Sequence, residues 1–463
     1  MVEAIPQRVH LVGIGGIHMS AIAEILRARG HIVSGSDLRL SALTEKLQGQ
    51  GIRIFAGHDE ANVGEAELVV YTSAAPEDNP ERAAAARLKI PTMKRAAMVA
   101  KLMEGKRVIA VAGTHGKTTT SSLIAHMLWH AGLSPTFMLG GEMVEPHTNV
   151  MAGSGPYFVV EADEYDSAFL HYQPEIALVT NIEPDHLDYY GSFQNIAAAF
   201  RRFLMQVSAF GHILACGENP ALQALLSEAI GDGAPLPVRA VSYGLAGDFD
   251  WKAENIRKKG IDTCSFMVRC GQEIFGSFEI RLAGTHNVLN SLGAIAVGSI
   301  IGLSPDAIAR ALSEFRGVHR RFEVLGSAGD ITVVDDYAHH PTEISATLAA
   351  ARERFGPRRL VCVFQPHTYS RTAYLLEGFR ECFREADVLL IAETYAAREE
   401  PGAGMSARDL AQQVAEPTAR YSGGLEESAE AALEILRPGD VFFSIGAGDV
   451  DSVGRSVWKA VSE

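Results

Sequence analysis

The sequence predicts an α/β chain of three successive domains, and three observations carry that prediction. An apolar run ending in a glycine-rich turn and passing into a helical stretch occurs near the N-terminus, and the same unit starts afresh at Arg107. After Val318 a third set of apolar runs alternates with helical stretches. At 463 residues the chain exceeds what one hydrophobic core supports, which sets the expected number of domains at two to four.

The first domain is expected over 1–105. Val9 to Ile14 reads as a strand, Met19 to Arg29 has helical spacing, and Gly30 is a natural helix stop. A second strand, His31 to Ser34, precedes Asp37, and Glu67 to Thr72 is a third apolar run, so this part reads as a small βαβ domain with a mostly parallel sheet. Glu104, Gly105 and Lys106 form a short linker.

The central domain is expected over 106–318. A strand from Arg107 to Ala112 enters Gly113-Thr-His-Gly-Lys-Thr-Thr119, and a helix is expected from Ser121 to His130. Tyr157 to Val160 and Ile176 to Val179 read as neighbouring strands of one sheet, with Ala283 to Leu303 as a later helix. The third domain, 319–463, has strands at Ile331 to Val334 and Leu360 to Phe364 and helices at Thr342 to Arg354 and Tyr374 to Arg384. No repeat of fixed period and no low-complexity segment interrupts this pattern.

Composition excludes several classes. Hydrophobic residues at 47% and charged residues at 21% describe a globular chain rather than a disordered or fibrous one. A formal charge of −15 argues against a nucleic-acid surface, so an anionic ligand must meet a local site such as a glycine-rich loop or a bound cation. The five cysteines include no CxxC pair and fit reduced thiols. The longest apolar stretches, such as Ile295 to Leu303, fall short of the ~20 residues of a membrane span. Met1 to Arg8 lacks the charged start and apolar run of a signal peptide, so no membrane partner and a cytoplasmic location are expected.

The strongest motif is Gly113 to Thr119. Successive backbone N–H groups at a glycine-rich helix start cradle phosphate oxygens, and a lysine, here Lys117, neutralises the terminal phosphates. Its spacing departs from GxxxxGK[ST], with Val111 where the first glycine would stand. A second turn, Gly13-Ile-Gly-Gly-Ile-His18, resembles a dinucleotide fingerprint but carries His18 in place of the third glycine, which weakens a nicotinamide reading. That turn still offers N–H groups to a diphosphate, and Asp37 is placed to accept from a ribose hydroxyl or a base N–H; a plain tight βα turn would read the same.

Carboxylates cluster in Glu161-Ala-Asp-Glu-Tyr-Asp166 at the end of a strand, where α/β sheets deliver functional side chains. Magnesium prefers oxygen ligands, so Glu161 with Thr118 makes a sensible pair; a solvated acidic loop is the bland alternative. His186 stands amid Glu183, Asp185 and Asp188, again after a strand, and could hold a second divalent ion. His286, Asn287 and Asn290 open the later helix. Arg320 and Arg321, Asp335 to His340, and Gln365 to Arg371 gather near the third domain, where surface salt bridging would be the simpler account of the charges.

Taken together these segments resemble the Mur ligase family over nearly the whole chain. HLVGIGGIHMS, SGSD, GTHGKTTT, EADEYD, TNIEPDHLDYYGS, GTHNVLN, FRGVHRRFE, DDYAHHPTE and QPHTYSRT occur in order and are most similar to the member that adds the first residue, L-alanine. The resemblance implies a Rossmann-like N-terminal domain that binds the UDP-sugar, a central P-loop ATPase domain, and a Rossmann-like C-terminal domain that helps bind the amino acid. It implies ATP and Mg²⁺ as cofactors, UDP-N-acetylmuramate and L-alanine as partners, and a monomer or homodimer. The implied chemistry is ATP-dependent ligation of the lactyl carboxylate through an acyl phosphate and a tetrahedral intermediate.

By the same resemblance, Gly113, Thr114, His115, Gly116, Lys117, Thr118 and Thr119 bind phosphates, while His286, Asn290, Arg321 and Asp335 contact ATP. Thr118 and Glu161 hold one Mg²⁺ and His186 a second. The UDP part lies against Gly15, Gly16, Ser36, Asp37, Thr72 and Ser73, and Lys117, His186, His340, His367 and Arg371 stand near the reacting groups. Several relatives carry a carbamylated lysine after the metal histidine, but Phe200-Arg201-Arg202 occupies that region here, so none is expected. Three rivals remain open: a related ligase that recycles a preformed tripeptide, a nicotinamide dehydrogenase, and a nucleotide-gated switch that only hydrolyses ATP.

Overall fold

A computed structural model describes residues 4–231, 236–259, 263–397, 399–400 and 402–463, so the first three residues of the N-terminal stretch discussed above lie outside it. The chain divides into two compact units. Residues 1–184, 189–252 and 292–311 form the first, and 185–188, 253–291 and 312–463 the second.

The first unit contains a five-stranded parallel sheet of β1 (Arg8–Val12), β2 (Ile32–Asp37), β3 (Arg53–Ala56), β4 (Leu68–Tyr71) and β5 (Thr92–Lys94). Its order is β3-β2-β1-β4-β5, which puts a topological switch between β1 and β4, where the strand ends open a crevice for ligands. The glycine turn follows β1, Asp37 ends β2 and Thr72 follows β4, so the elements flagged in the sequence meet at that switch. The short strands β3 and β5 were not expected from the sequence.

A second sheet in the same unit comprises β6 (Arg107–Ala112), β7 (Thr136–Met143), β8 (Thr148–Met151), β9 (Tyr157–Glu161), β10 (Ile176–Val179), β11 (His212–Cys216) and β12 (Ala240–Gly244). The order β12-β11-β10-β6-β9-β7-β8 is parallel except for the β7–β8 pair. The central strands are covered on both faces, which is why they read as unbroken apolar runs; all four residues of β10 are buried. The helix after β6 spans Lys117–His130, four residues earlier than the expected start, so Lys117, Thr118 and Thr119 lie in its first turn.

Strand β13 (Trp251–Lys259) starts beside β12, and most of it belongs to the second unit, next to the antiparallel pair β14 (Thr263–Cys270) and β15 (Glu273–Ile280). The second unit's other sheet is β16 (Glu323–Ala328), β17 (Ile331–Asp336), β18 (Leu360–Phe364), β19 (Val388–Ala392), β20 (Ala419–Gly423) and β21 (Val441–Ile445), ordered β16-β17-β21-β18-β19-β20. Side-chain alternation supplies two cores: Phe364, Phe383 and Phe443 pack on one face, Val333, Val363 and Phe442 on the other.

One expected helix is corrected. Instead of Tyr374 to Arg384, two short helices, Tyr369–Tyr374 and Leu376–Glu381, meet at Leu375, whose φ −99 and ψ 18 break the ladder. The Glu399 carboxylate fixes the earlier start by accepting from Tyr369 N at 2.7 Å and Ser370 N at 3.0 Å, a long-range cap with no local signal.

Candidate active site

At the end of β6 the phosphate loop is built on two constraints. Gly113 has φ +137, and a Cβ there would meet Thr180 Oγ1 at 2.0 Å, so only glycine fits. The loop is then laced to the segment after β10: Thr114 N donates to Asn181 O at 3.1 Å, His115 N to Asn181 Oδ1 at 2.8 Å, and Glu183 N to Thr114 Oγ1 at 2.8 Å. The His115 ring faces Glu183 at 3.3 Å. Gly116, in the left-handed region, turns the chain into the helix, whose first N–H groups have no partner within it and suit an anion.

Two carboxylates of the acidic loop face this turn. Thr118 Oγ1 donates to Glu161 Oε2 at 2.9 Å, and Gly140 N donates to the same oxygen at 2.9 Å. A Cβ on Gly140 would come within 2.4 Å of it, so that glycine makes room for the carboxylate. Lys117 Nζ donates to Thr114 O at 3.1 Å and pairs with Glu164 at 2.9 Å. Burial disfavours the Lys117 ammonium, but Glu164 and Glu161 outweigh that and raise its pKa, so it stays charged. The pair Thr118 and Glu161 offers a hydroxyl and a carboxylate beside a phosphate loop, an all-oxygen donor set of the kind magnesium takes.

At the other sheet the glycine turn is held from beneath. Gly13 N and Ile14 N donate to Ser36 O at 2.9 and 3.0 Å, and Gly15 N donates to Asp37 Oδ2 at 2.9 Å. Ser36 is fully buried with its hydroxyl given to Glu81 at 2.6 Å, so it reaches the turn through its backbone. Gly16 caps the following helix, and Thr72 N donates to Val12 O at 3.3 Å. Ser73 Oγ donates to Asp166 at 2.7 Å. Sequence reasoning missed Arg95, which contacts His18 Nδ1 at 2.9 Å and Asp163 at 3.3 Å. Burial, reinforced by Arg95, lowers the His18 pKa.

The second unit carries the remaining candidates. His186 has φ +51 and its N–H donates to Asp185 Oδ1 at 2.8 Å. Arg371 Nε and Nη2 donate to Asp185 at 3.1 and 2.9 Å, while Nη1 meets His367 Nδ1 at 2.8 Å. Burial works against the Asp185 carboxylate, yet Arg371 and the nearby histidines hold its pKa far below the usual range. The His367 ring stacks on Tyr395 at 5.5 Å. His340 is buried as the N-cap of helix Pro341–Phe355, with Glu343 closing a capping box.

Asp335 accepts from Ser444 at 2.6 Å and Arg320 at 3.2 Å, tying β17 to β21. Arg321 lies over the Tyr337 ring and 3.7 Å from Glu343. His286, in the first turn of helix Thr285–Ile300, is pushed down to about 4 by burial and is neutral. Asn290 Nδ2 donates to Asn287 Oδ1 at 3.1 Å, and Asn287 Nδ2 to Ala283 O at 2.7 Å.

A phosphate loop with a hydroxyl–carboxylate pair, on the strand ends of a chain with a second glycine turn over its own parallel sheet, defines a nucleotide-using α/β enzyme. Three family descriptions match along the chain: Mur ligase family, catalytic domain, over 8–107; Mur ligase middle domain over 111–298; and Mur ligase, glutamate ligase domain, over 320–448. The UDP-N-acetylmuramate–L-alanine ligase of Anaeromyxobacter sp. (strain Fw109-5) is 45% identical over 456 residues, 97% of this chain and 96% of that protein. The protein of the same name from Stenotrophomonas maltophilia (strain R551-3) is 42% identical over 99% of this chain and 96% of its own.

Among solved structures, a UDP-N-acetylmuramate-alanine ligase from Thermotoga maritima matches with TM-score 0.82 and 30% identity, covering 98% of this chain and 99% of that one. A murein peptide ligase from Psychrobacter arcticus matches with TM-score 0.73 and 26% identity over 99% of both chains. The chain belongs to the Mur ligase family. Among the described residues, no helix is long and apolar enough to cross a membrane.

Proposed function

We propose that the chain joins L-alanine to the lactyl carboxylate of UDP-N-acetylmuramate at the expense of ATP, through an acyl phosphate, releasing ADP and phosphate. The observation that carries the reading is likeness over 97% of the chain to relatives named for that ligation, with a phosphate loop built where the matching middle domain begins. Domain roles follow as part of the proposal: 1–105 for the UDP-sugar, 106–318 for ATP, and 319–463 for the amino acid, in an enzyme of the cytoplasm.

In this reading the N–H groups at Gly113 to Thr119 and the ammonium of Lys117 hold the phosphates, and the ion pair with Glu164 orients that ammonium. Thr118 and Glu161 would hold magnesium and His186 a second ion; bound there, magnesium spreads the charge of phosphoryl transfer. Gly15 and Gly16 present N–H groups to the UDP diphosphate, with Ser36 and Asp37 fixing the turn and Thr72 and Ser73 beside it. His286, Asn290 and Arg321 contact ATP in this reading. Asp335 and His340 act by fixing a strand end and a helix start, and Arg371 and His367 receive the amino acid.

The test is product analysis by mass spectrometry with ATP, Mg²⁺ and UDP-N-acetylmuramate, offering L-alanine, glycine, L-serine or a muropeptide tripeptide in parallel. An L-alanine adduct supports the reading. A tripeptide adduct in its place transfers the chain to the recycling reaction, and ATP loss without any adduct refutes ligation.

A further inference from the structure

The acidic loop after β9 has two sides. Glu161 and Glu164 turn to the phosphate loop, where they meet Thr118 at 2.9 Å and Lys117 at 2.9 Å. Asp163 and Asp166 turn to residues of the N-terminal sheet region: Arg95 lies 3.3 Å from Asp163, and Ser73 and Lys94 lie 2.7 and 3.5 Å from Asp166. At the far end of these contacts the backbone passes through left-handed conformations at Asp166 (φ 54) and Ser167 (φ 53).

Arg95 is the element that reaches furthest. It is the first residue of helix Arg95–Met103, where a cation opposes the helix dipole, so its placement costs helix stability and is explained by what its side chain holds. The guanidinium carries donors only, so His18 Nδ1, 2.9 Å away, must accept. That fixes the neutral tautomer of His18 with its proton on Nε2, in the first turn of the helix that follows Gly15 and Gly16. The other arm of the fork donates to Asp163, two residues from Glu161 and adjacent to Glu164. One side chain, 13% exposed, therefore bridges the turn of the first sheet and the acidic loop of the second.

We propose that Arg95 is a positioning residue that couples the glycine turn to the ATP loop, so that a sugar nucleotide bound at the turn orders Asp163 and, through it, Glu161 and Glu164. The inference rests on the substrate assignment above. A diphosphate at the turn restrains the His18 ring, the ring restrains one arm of the fork, and the acidic loop loses its freedom to drift from Thr118 and Lys117. Coupling of this kind between two ligands is typically about 5- to 150-fold and reciprocal.

The test is calorimetric binding of UDP-N-acetylmuramate to the full chain, with and without a non-hydrolysable ATP analogue and Mg²⁺. Wild-type protein should bind the sugar nucleotide at least about fivefold more tightly with the analogue present. In Arg95→Met that ratio should fall to about one, and Arg95→Lys should not restore it, because a single ammonium cannot span two partners as a fork does. Asp163→Ala, which removes the acceptor, should lose the ratio as well, and the double variant should lose no more than either single one. Circular dichroism and melting confirm that each variant is folded; Asp163→Ala, which keeps Arg95 and the loop length, serves where Arg95→Met is not.

A ratio preserved in folded Arg95→Met and Asp163→Ala overturns the proposal. So does a wild-type ratio of one, or a loss in Arg95→Met that is the same with and without the analogue, which would make Arg95 a direct ligand. Failure of wild-type protein to bind the sugar nucleotide at all strikes instead at the substrate assignment.

Discussion

Gly113→Ala is the sharpest perturbation the phosphate loop allows, because it adds one methyl group and no charge. The new Cβ would sit 2.0 Å from Thr180 Oγ1 and 3.1 Å from the Asn181 backbone, whereas ordinary contact begins at 3.4 Å. The loop must therefore retreat by about 1.4 Å, and a misplacement of that order at reacting groups costs roughly 10²-fold in rate. Keeping φ at +137 with a Cβ adds strain of about 1–3 kcal/mol, which the loop can shed only by moving further. The assay is phosphate release at saturating L-alanine and sugar nucleotide, with ATP varied, beside a thermal melt. Combining it with Thr180→Ala removes the worst clash but not the φ or the Asn181 backbone, so rescue should be partial. Turnover within threefold of wild type for Gly113→Ala would refute the packing argument.

Lys117→Ala should lower turnover by about 10²–10³-fold or more and also lower the melting temperature, because Glu164, 4% exposed, is left without its cation; Lys117→Ala with Glu164→Gln should regain stability but not activity, and near-normal turnover in either would sink the assignment. Arg371→Lys should raise the KM for L-alanine by about 10–100-fold, since an ammonium cannot serve both Asp185 and His367; an unchanged KM removes Arg371 from the amino-acid site.

Burial alone would raise the Glu81 carboxyl, but His10, 3.6 Å away, and hydrogen bonds from Ser36 and Asn62 hold it at about 2. A depressed folded-state value stabilises the protein above the ordinary carboxylate range and is lost as pH falls towards 2, so Glu81→Gln should flatten the melting temperature against pH between about 4.5 and 2, and an unaltered slope counts against it. For Asp37, the amide of Asp37→Asn can still accept from Gly15 N, so it should bind sugar nucleotide within about threefold of wild type while Asp37→Ala loses about tenfold; equal losses would return Asp37 to a direct contact with the ribose or base.

The strands legible in the sequence are those covered on both faces. Arg107 to Ala112, Ile176 to Val179 and Leu360 to Phe364 emerge at their expected limits because burial demands unbroken apolar runs, and glycine or polar residues end them. Strands such as β5, Thr-Met-Lys, and β13, with its lysines, glutamate and arginine, are exposed along much of their length and carry no such signature. The split at Leu375 was hidden because the Glu399 that fixes Tyr369 lies 30 residues away. The site divides in the same way. Glycines and the lysine of the phosphate loop are local and readable, whereas Arg95 stands 77 residues from His18 and 68 from Asp163, a juxtaposition that only the two sheets create.

The net charge of −15 sharpens the question of how such a chain receives two anionic nucleotides. Within the first unit Lys117 is matched by Glu164 and Arg95 by Asp163; within the second, Arg320 is matched by Asp335 and Arg371 by Asp185. Each cation near a candidate site thus stands beside a carboxylate, so long-range attraction from side chains is largely cancelled. What remains is short-ranged: the N–H groups at the starts of helices Ile17–Ala28 and Lys117–His130, both preceded by glycines and both without an acidic residue in the first turn. Affinity for phosphates is therefore expected from backbone dipoles at contact distance. The paired side chains then act as fixed partners that a ligand reorganises rather than as a field that draws it in, which makes their geometry, and not their number, the quantity on which turnover depends.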